Sequence, residues 1–152
     1  MKGFKKILYP VALTDISYKV APYVVTMARQ LDAEVHLLHV LPRFEWFVDT
    51  YVSESSEPDF KRVASDFGNR VLSQARQKLE AFKERHLGDI HIANTTVVSG
   101  IHYEQISEYV TSEGIDFIIM GSGTTAQKFM FGSVAEKVSK LATVPVMLIR
   151  SD

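Results

Sequence analysis

The stretch Met120–Val134, MGSGTTAQKFMFGSV, gathers the residues best suited to holding an anion. It has glycines at 121, 123 and 132 and hydroxyls at 122, 124, 125 and 133. A glycine-rich backbone can turn successive N–H groups toward one phosphate, and a helix N-terminus adds more of them. Gly132-Ser133 stands where a helix is predicted to begin, so the N–H groups of Ser133 and Val134 would face such a ligand. Ser133 could cap that helix or give its hydroxyl to the phosphate. Lys128 could neutralise charge from within the loop, while Phe129, Met130 and Phe131 would pack the loop onto the domain.

Other chemistries find less support. No G-x-x-x-x-G-K-[ST] occurs, which removes a P-loop. The first strand-to-helix turn, PVALTDIS, holds no glycine, which removes the dinucleotide fingerprint. Neither G-x-S-x-G nor H-E-x-x-H is present. With no cysteine, thiolate catalysis and cysteine-ligated zinc are excluded. The histidines at 36, 39, 86, 91 and 102 share no ligand spacing; His36 and His39 fall on opposite faces of a predicted strand. They read as structural or surface residues, so no metal site and no catalytic residue is assigned. The acidic residues of the long central helix read as a solvated face.

The elements that must position the loop alternate. Lys5–Ala12, KKILYPVA, is a short apolar run expected to be a strand buried on both faces. Ser17 is the expected N-cap of a helix carrying Val20, Ala21, Val24, Ala28 and Leu31, with Pro22 removing one hydrogen bond early in it. Glu34–Leu41, EVHLLHVL, is a second buried strand. Residues 43–58 are irregular, aromatic in RFEWFVDTYV and then acidic, a length usually functional or mobile. A long amphipathic helix over Asp59–His86 places Val63, Phe67, Val71, Ala75, Leu79 and Phe82 on one stripe. Ile90–Val98 is more polar and alternating, as at a sheet edge. A helix with Ile106, Tyr109 and Val110, the strand Ile115–Met120, a helix over Ser133–Ala142 with Val134, Val138 and Leu141 inward, and a last strand Val144–Arg150 complete the chain.

Such alternation implies an α/β fold, a mostly parallel sheet with helices on both faces. Ligands in these sheets bind beyond the carboxyl ends of strands, where the strand order reverses. The glycine loop, PVALTD and VLP all lie at such ends. Residues 1–152 read as a single domain without internal repeat, 46% apolar and 23% charged. A formal net charge of −1 gives no support for nucleic-acid binding. No apolar run approaches membrane-spanning length, and the N-terminus, broken by Pro10, reads as a strand rather than a signal peptide. A cytoplasmic location is the default expectation.

The words KKILYPV, LLHV at 37–40, SGIHYEQI at 99–106, IDFIIMGS at 115–122, GSVAEKV at 132–138 and the closing VPVMLIR occur in this order along the chain. In that combination the sequence resembles the universal stress protein family. The resemblance implies a three-layer sandwich around a five-stranded parallel sheet of order 3-2-1-4-5. It also implies a homodimer pairing through the last strand, Val144–Arg150. Nucleotide-binding members carry Gly-x-x-Gly, nine residues, then Gly-Ser or Gly-Thr. Carried over by position, the implied ATP site comprises Pro10, Val11 and Ala12, Val40, Met120, Gly121, Ser122, Gly123 and Thr124, and Gly132, Ser133 and Val134. Val40 would meet adenine through its backbone, and Mg²⁺ could accompany the phosphates.

Two departures stand out. The loop here reads Gly-x-Gly, eight residues, then Gly-Ser, two residues shorter overall, so Gly123 is an approximate counterpart. Where binders usually carry Asp, two residues after the strand-one proline, this chain has Ala12, with Asp15 nearby. The resulting expectation is a stress-type protein that binds ATP as a regulatory ligand in a homodimer. The alternative is a dimer that binds no nucleotide and acts through protein partners, for which the aromatic 44–52 segment with Phe44 and Trp46 is the candidate surface. A third reading, ATP hydrolysis or nucleotidyl transfer, finds at most Asp15, Lys128 and several hydroxyls, without a convincing base.

Overall fold

Strands β1 (Lys6–Pro10), β2 (Glu34–Leu41), β3 (Ile92–Ser99), β4 (Phe117–Gly121) and β5 (Val146–Ile149) form one parallel sheet in a computed structural model. The residues described are 3–42, 58–123 and 132–150. The strand order is β3-β2-β1-β4-β5, as the sequence led us to expect. Among these residues four helices alternate with the strands: α1 (Asp15–Leu31), α2 (Pro58–His86), α3 (His102–Glu113) and α4 (Ser133–Leu141).

The continuous apolar runs are explained by burial on both faces. Ile7 and Tyr9 of β1 pack with Val20 and Val24 of α1 and Leu79 of α2. Leu8, between them, points the other way and joins Ile106 and Val110 of α3 and Val138 of α4. The Tyr9 hydroxyl donates to the Ser17 carbonyl at 2.6 Å, which satisfies the one polar atom of that buried ring. β3, at one edge, is the most polar strand and has only one fully covered residue, Val97.

Several boundaries differ from expectation. β1 stops at Pro10 rather than Ala12, and β5 is confined to Val146–Ile149. Ser17 is not the N-cap of α1. Thr14 holds that place in extended conformation, and its N–H donates to the Ser17 hydroxyl at 3.3 Å, so Ser17 serves as the reciprocal partner one turn in. Leu141, expected inward, is 56% exposed because α4 ends there and turns its last residue to solvent.

The stripe on α2 is half right. Ala75, Leu79 and Phe82 are buried, but Val63 is 60% and Phe67 is 55% exposed. Geometry gives the reason. A helix of 29 residues is about 43 Å long at 1.5 Å per residue. The longest strands have 8 residues and span about 26 Å at 3.3 Å each. The first half of α2 therefore runs past the sheet, whatever its periodicity.

Candidate nucleotide-binding cleft

β1 has β2 on one side and β4 on the other, so successive connections leave it in opposite directions. Chain ends diverge above it, and a cleft opens there. Its volume is about 640 Å³, within the range of small-molecule sites. Four strand or helix ends build it.

The floor comes from Pro10, Val11 and Ala12 leaving β1. Leu13, just beyond, has φ of +58°, a conformation L-residues seldom adopt, and this bend starts the chain into α1. Ala12 lines the cleft, so that position supplies no carboxylate.

One end is made by β2. Pro10, the last residue of β1, lies opposite Leu38, whereas β2 continues to Leu41. Val11 prolongs the contact by one bond, its N–H donating to the Leu38 carbonyl at 2.8 Å. In a parallel ladder the N–H and C=O of a residue point to the same side and alternate along the strand. Leu41 turns toward β3, where its carbonyl accepts from the Gly100 N–H. Val40 turns toward β1, past the point where β1 has ended, and lines the cleft with its main chain unpaired by a strand.

The opposite end is made by β4 and α4. Gly121 and Gly123 leave the strand, and Gly132 to Ala135 return as the start of the helix. Gly132 is the N-cap and has no side chain to offer, so Ser133 does not cap α4. The first main-chain bond of the helix runs from the Glu136 N–H to the Gly132 carbonyl at 2.9 Å. The N–H groups of Ser133, Val134 and Ala135 precede it and have no intrahelical acceptor. All three residues border the cleft. The two ends of the glycine loop meet in a narrow neck. A Cβ on Gly132 would lie 3.2 Å from Gly123 main-chain carbons, and Gly123 itself has φ of +92°. The close approach favours glycine at both positions, and at Gly123 the backbone conformation favours it as well.

Of the residues carried over by resemblance, Pro10, Val11, Ala12, Val40, Met120, Gly121, Gly123, Gly132, Ser133 and Val134 border this single cleft. Ser122 is buried and plays another part: its N–H donates to the Ile149 carbonyl and its own carbonyl accepts from the Gly132 N–H at 2.7 Å. It ties the loop neck to β4 and β5. Thr124, Lys128, Phe129, Met130, Phe131, Phe44 and Trp46 lie outside the described residues, as does the side chain of Asp15.

Two histidines taken as structural also border the cleft, His39 and His102. His39 Nδ1 is 2.6 Å from the Val11 carbonyl, and since a carbonyl only accepts, that nitrogen carries the proton. His102 opens α3, beside the Val40 carbonyl. Burial and the neighbouring His39 hold His102 below the usual histidine range, opposed by that carbonyl. Chain spacing could not have found this pair, because 62 intervening residues separate positions that only folding unites. The sole sequence signal was that His39 abuts Val40 and His102 follows the Gly100 turn.

His36 has a different fate. It is 3% exposed, with Nδ1 2.8 Å from the Tyr109 hydroxyl and Nε2 without a hydrogen-bond partner among the described residues, 3.6 Å from the Glu34 carboxylate. Burial lowers its pKa, with Lys6 and His91 acting the same way and Glu34 and Glu113 opposing. The folded state thus resists a proton that the unfolded chain takes up near pH 6.5. Stability should be full above that pH and decline as pH falls below it toward the folded value. Urea midpoints between pH 7.5 and 5 should drop less for His36→Leu than for the wild type; identical slopes would remove His36 as a source.

Among the described residues no helix is long and apolar enough to cross a membrane, and no three metal-binding side chains cluster.

The whole chain has recognisable relatives. The sequence pattern of the universal stress protein family matches residues 3–150. Universal stress protein YxiE of Bacillus subtilis is 29% identical over 97% of this chain and 99% of its own length. The solved structure of MJ0577 from Methanocaldococcus jannaschii superposes with a TM-score of 0.79 at 29% identity, covering 99% of both chains. A universal stress protein from Archaeoglobus fulgidus, solved in complex with dAMP, shares the fold at 16% identity with a TM-score of 0.54, over 98% and 99% of the two chains. Sheet order, helix placement and a pattern match from end to end agree: the chain belongs to the universal stress protein family.

Proposed function

We propose that this protein binds an adenine nucleotide, ATP, as a regulatory ligand, and does so as a homodimer. One observation carries the reading: a single cleft has helix N–H groups without an intrahelical acceptor at one end and a strand backbone that overruns its neighbour at the other. The three leading N–H groups of α4, with the positive end of its dipole, suit phosphates. The overhanging N–H and C=O of Val40 suit the edge of adenine, which offers an amino donor beside a ring-nitrogen acceptor. The fold neighbour bound to dAMP is consistent with a nucleotide in such a cleft. Mg²⁺ would accompany the phosphates, held by them and water rather than by a protein cage.

The cleft favours binding over turnover. Its described lining includes hydroxyls, Lys19 and two histidines, but no carboxylate to act as base or to hold a catalytic metal. For the dimer, among the described strands β5 pairs with β4 alone, and its residues Val146, Met147 and Leu148 are half-buried, so an apolar strand edge would suit a second copy. Calorimetric titration of nucleotide-stripped protein with ATP, with and without Mg²⁺, should give micromolar affinity, and sedimentation should give a dimer. Affinity weaker than millimolar under both conditions would sink the nucleotide reading.

A further inference from the structure

We propose that His39 is a positioning residue for the base end of this cleft: its imidazole takes the Val11 carbonyl, and so keeps the Val40 N–H out of the sheet and open to a base edge. The inference rests on the nucleotide reading and names the side chain that prepares its base end. In parallel pairing, rungs run alternately from one strand to the other. The Val11 N–H donates to the Leu38 carbonyl at 2.8 Å, so the next rung would bring the Val40 N–H back to the Val11 carbonyl. That carbonyl accepts the His39 Nδ1–H instead, at 2.6 Å. No main-chain bond joins Val40 to Val11 among the described residues, and strand pairing ends at Pro10 and Leu38.

Strand alternation puts the ring there. Leu37 packs on the α1 face and Leu38 on the α3 face, so His39 returns to the α1 face, where Val11 also packs. Its side chain stands one residue ahead of Val40 and reaches the acceptor that Val40 would otherwise use. A carbonyl has two lone pairs and could accept twice. Geometry decides the matter, because with the ring in place the rung to Val40 does not form. A main-chain N–H tied into a ladder must give up that bond before a ligand can take it. Held out of the ladder, the Val40 N–H meets a ring nitrogen of the base without that exchange. The phosphate end lies at α4, which follows β4 on the opposite side of β1.

The test compares wild type, His39→Leu and His39→Asn, the last keeping an N–H donor on the atom after Cγ, where the imidazole has Nδ1. Each is titrated with ATP, with adenosine and with inorganic tripolyphosphate, and the Val40 amide of the free protein is followed by NMR hydrogen exchange. In His39→Leu the rung should close, so the Val40 amide should exchange roughly ten-fold more slowly. ATP and adenosine should then bind about five-fold more weakly, with tripolyphosphate unchanged. His39→Asn should match wild type in exchange and in affinity, a rescue that a packing role would not give. Unchanged or faster Val40 exchange in His39→Leu would mean the ladder stops for another reason, and overturns the inference while the nucleotide reading stands. Slower exchange with unchanged adenosine affinity would overturn it too, since the base would then not use that N–H. Binding of ATP or adenosine to none of the three would sink the nucleotide reading and this inference with it.

Discussion

Gly132→Asp should lower ATP affinity at least 100-fold while leaving the protein folded. The new carboxylate would stand at the N-cap of α4, where Asp is among the preferred residues. It would accept from the same N–H groups that otherwise face the cleft, so the helix would cap itself. A phosphate would then lose two charge-assisted bonds, each worth roughly 1.5–3 kcal/mol, and would meet a like charge in their place. Each factor of ten is about 1.4 kcal/mol, so two such bonds alone exceed a hundred-fold. Sterics work in the same direction: the Cβ would press on Gly123 main-chain atoms at 3.2 Å and widen the neck. Gly132→Ala separates the two causes, since it carries the clash without the charge. It should weaken binding less, and ATP affinity in Gly132→Asp within three-fold of wild type would show that phosphates do not sit on α4.

Leu79→Ala should destabilise the fold by about 3 kcal/mol, within the roughly 2–5 kcal/mol seen for truncating a fully buried leucine. Leu79 is 0% exposed and sits between Ala75 and Phe82 on the part of α2 that covers the sheet. Domains of this size hold on the order of 5–15 kcal/mol in all, so a third of the stability could depend on this side chain. Val63→Ser, on the same predicted stripe but 60% exposed, should change stability by less than about 0.5 kcal/mol. Urea unfolding of the pair reads both values. A Val63→Ser cost matching that of Leu79→Ala would mean that the first half of α2 is covered after all.

The contrast between those two residues shows where periodicity stops being informative. Val63, Phe67, Val71, Ala75 and Leu79 recur at helical spacing, and a helix formed there. Periodicity identifies the apolar face of a helix; it says nothing of how far the sheet beneath extends. The same limit applies to Ser17 and Leu141, where residue type pointed to a helix end or an inward face and one turn of displacement changed the role.

The site divides along a similar line. Gly121, Gly123, Gly132, Ser133 and Val40 were legible because turn chemistry, a helix start and a strand end leave local marks, and the order of family words placed them together. The meeting of His39 and His102 at the cleft, the main-chain contact of Gly123 with Gly132, and the use of Ser122 as a tie to β5 leave no such mark.

By itself, then, the sequence determined the alternation of strands and helices, the two-sided burial of β1, β2 and β4, and the presence of a glycine-flanked helix start able to hold an anion. These follow from local propensity and from which residues must leave water. Tertiary structure alone decided that β2 outruns β1 and bares Val40, that α2 overruns the sheet, and that His39 and His102 border one cleft. Each of these depends on the relative lengths and registers of elements far apart in the chain, and no local rule of spacing or composition encodes them.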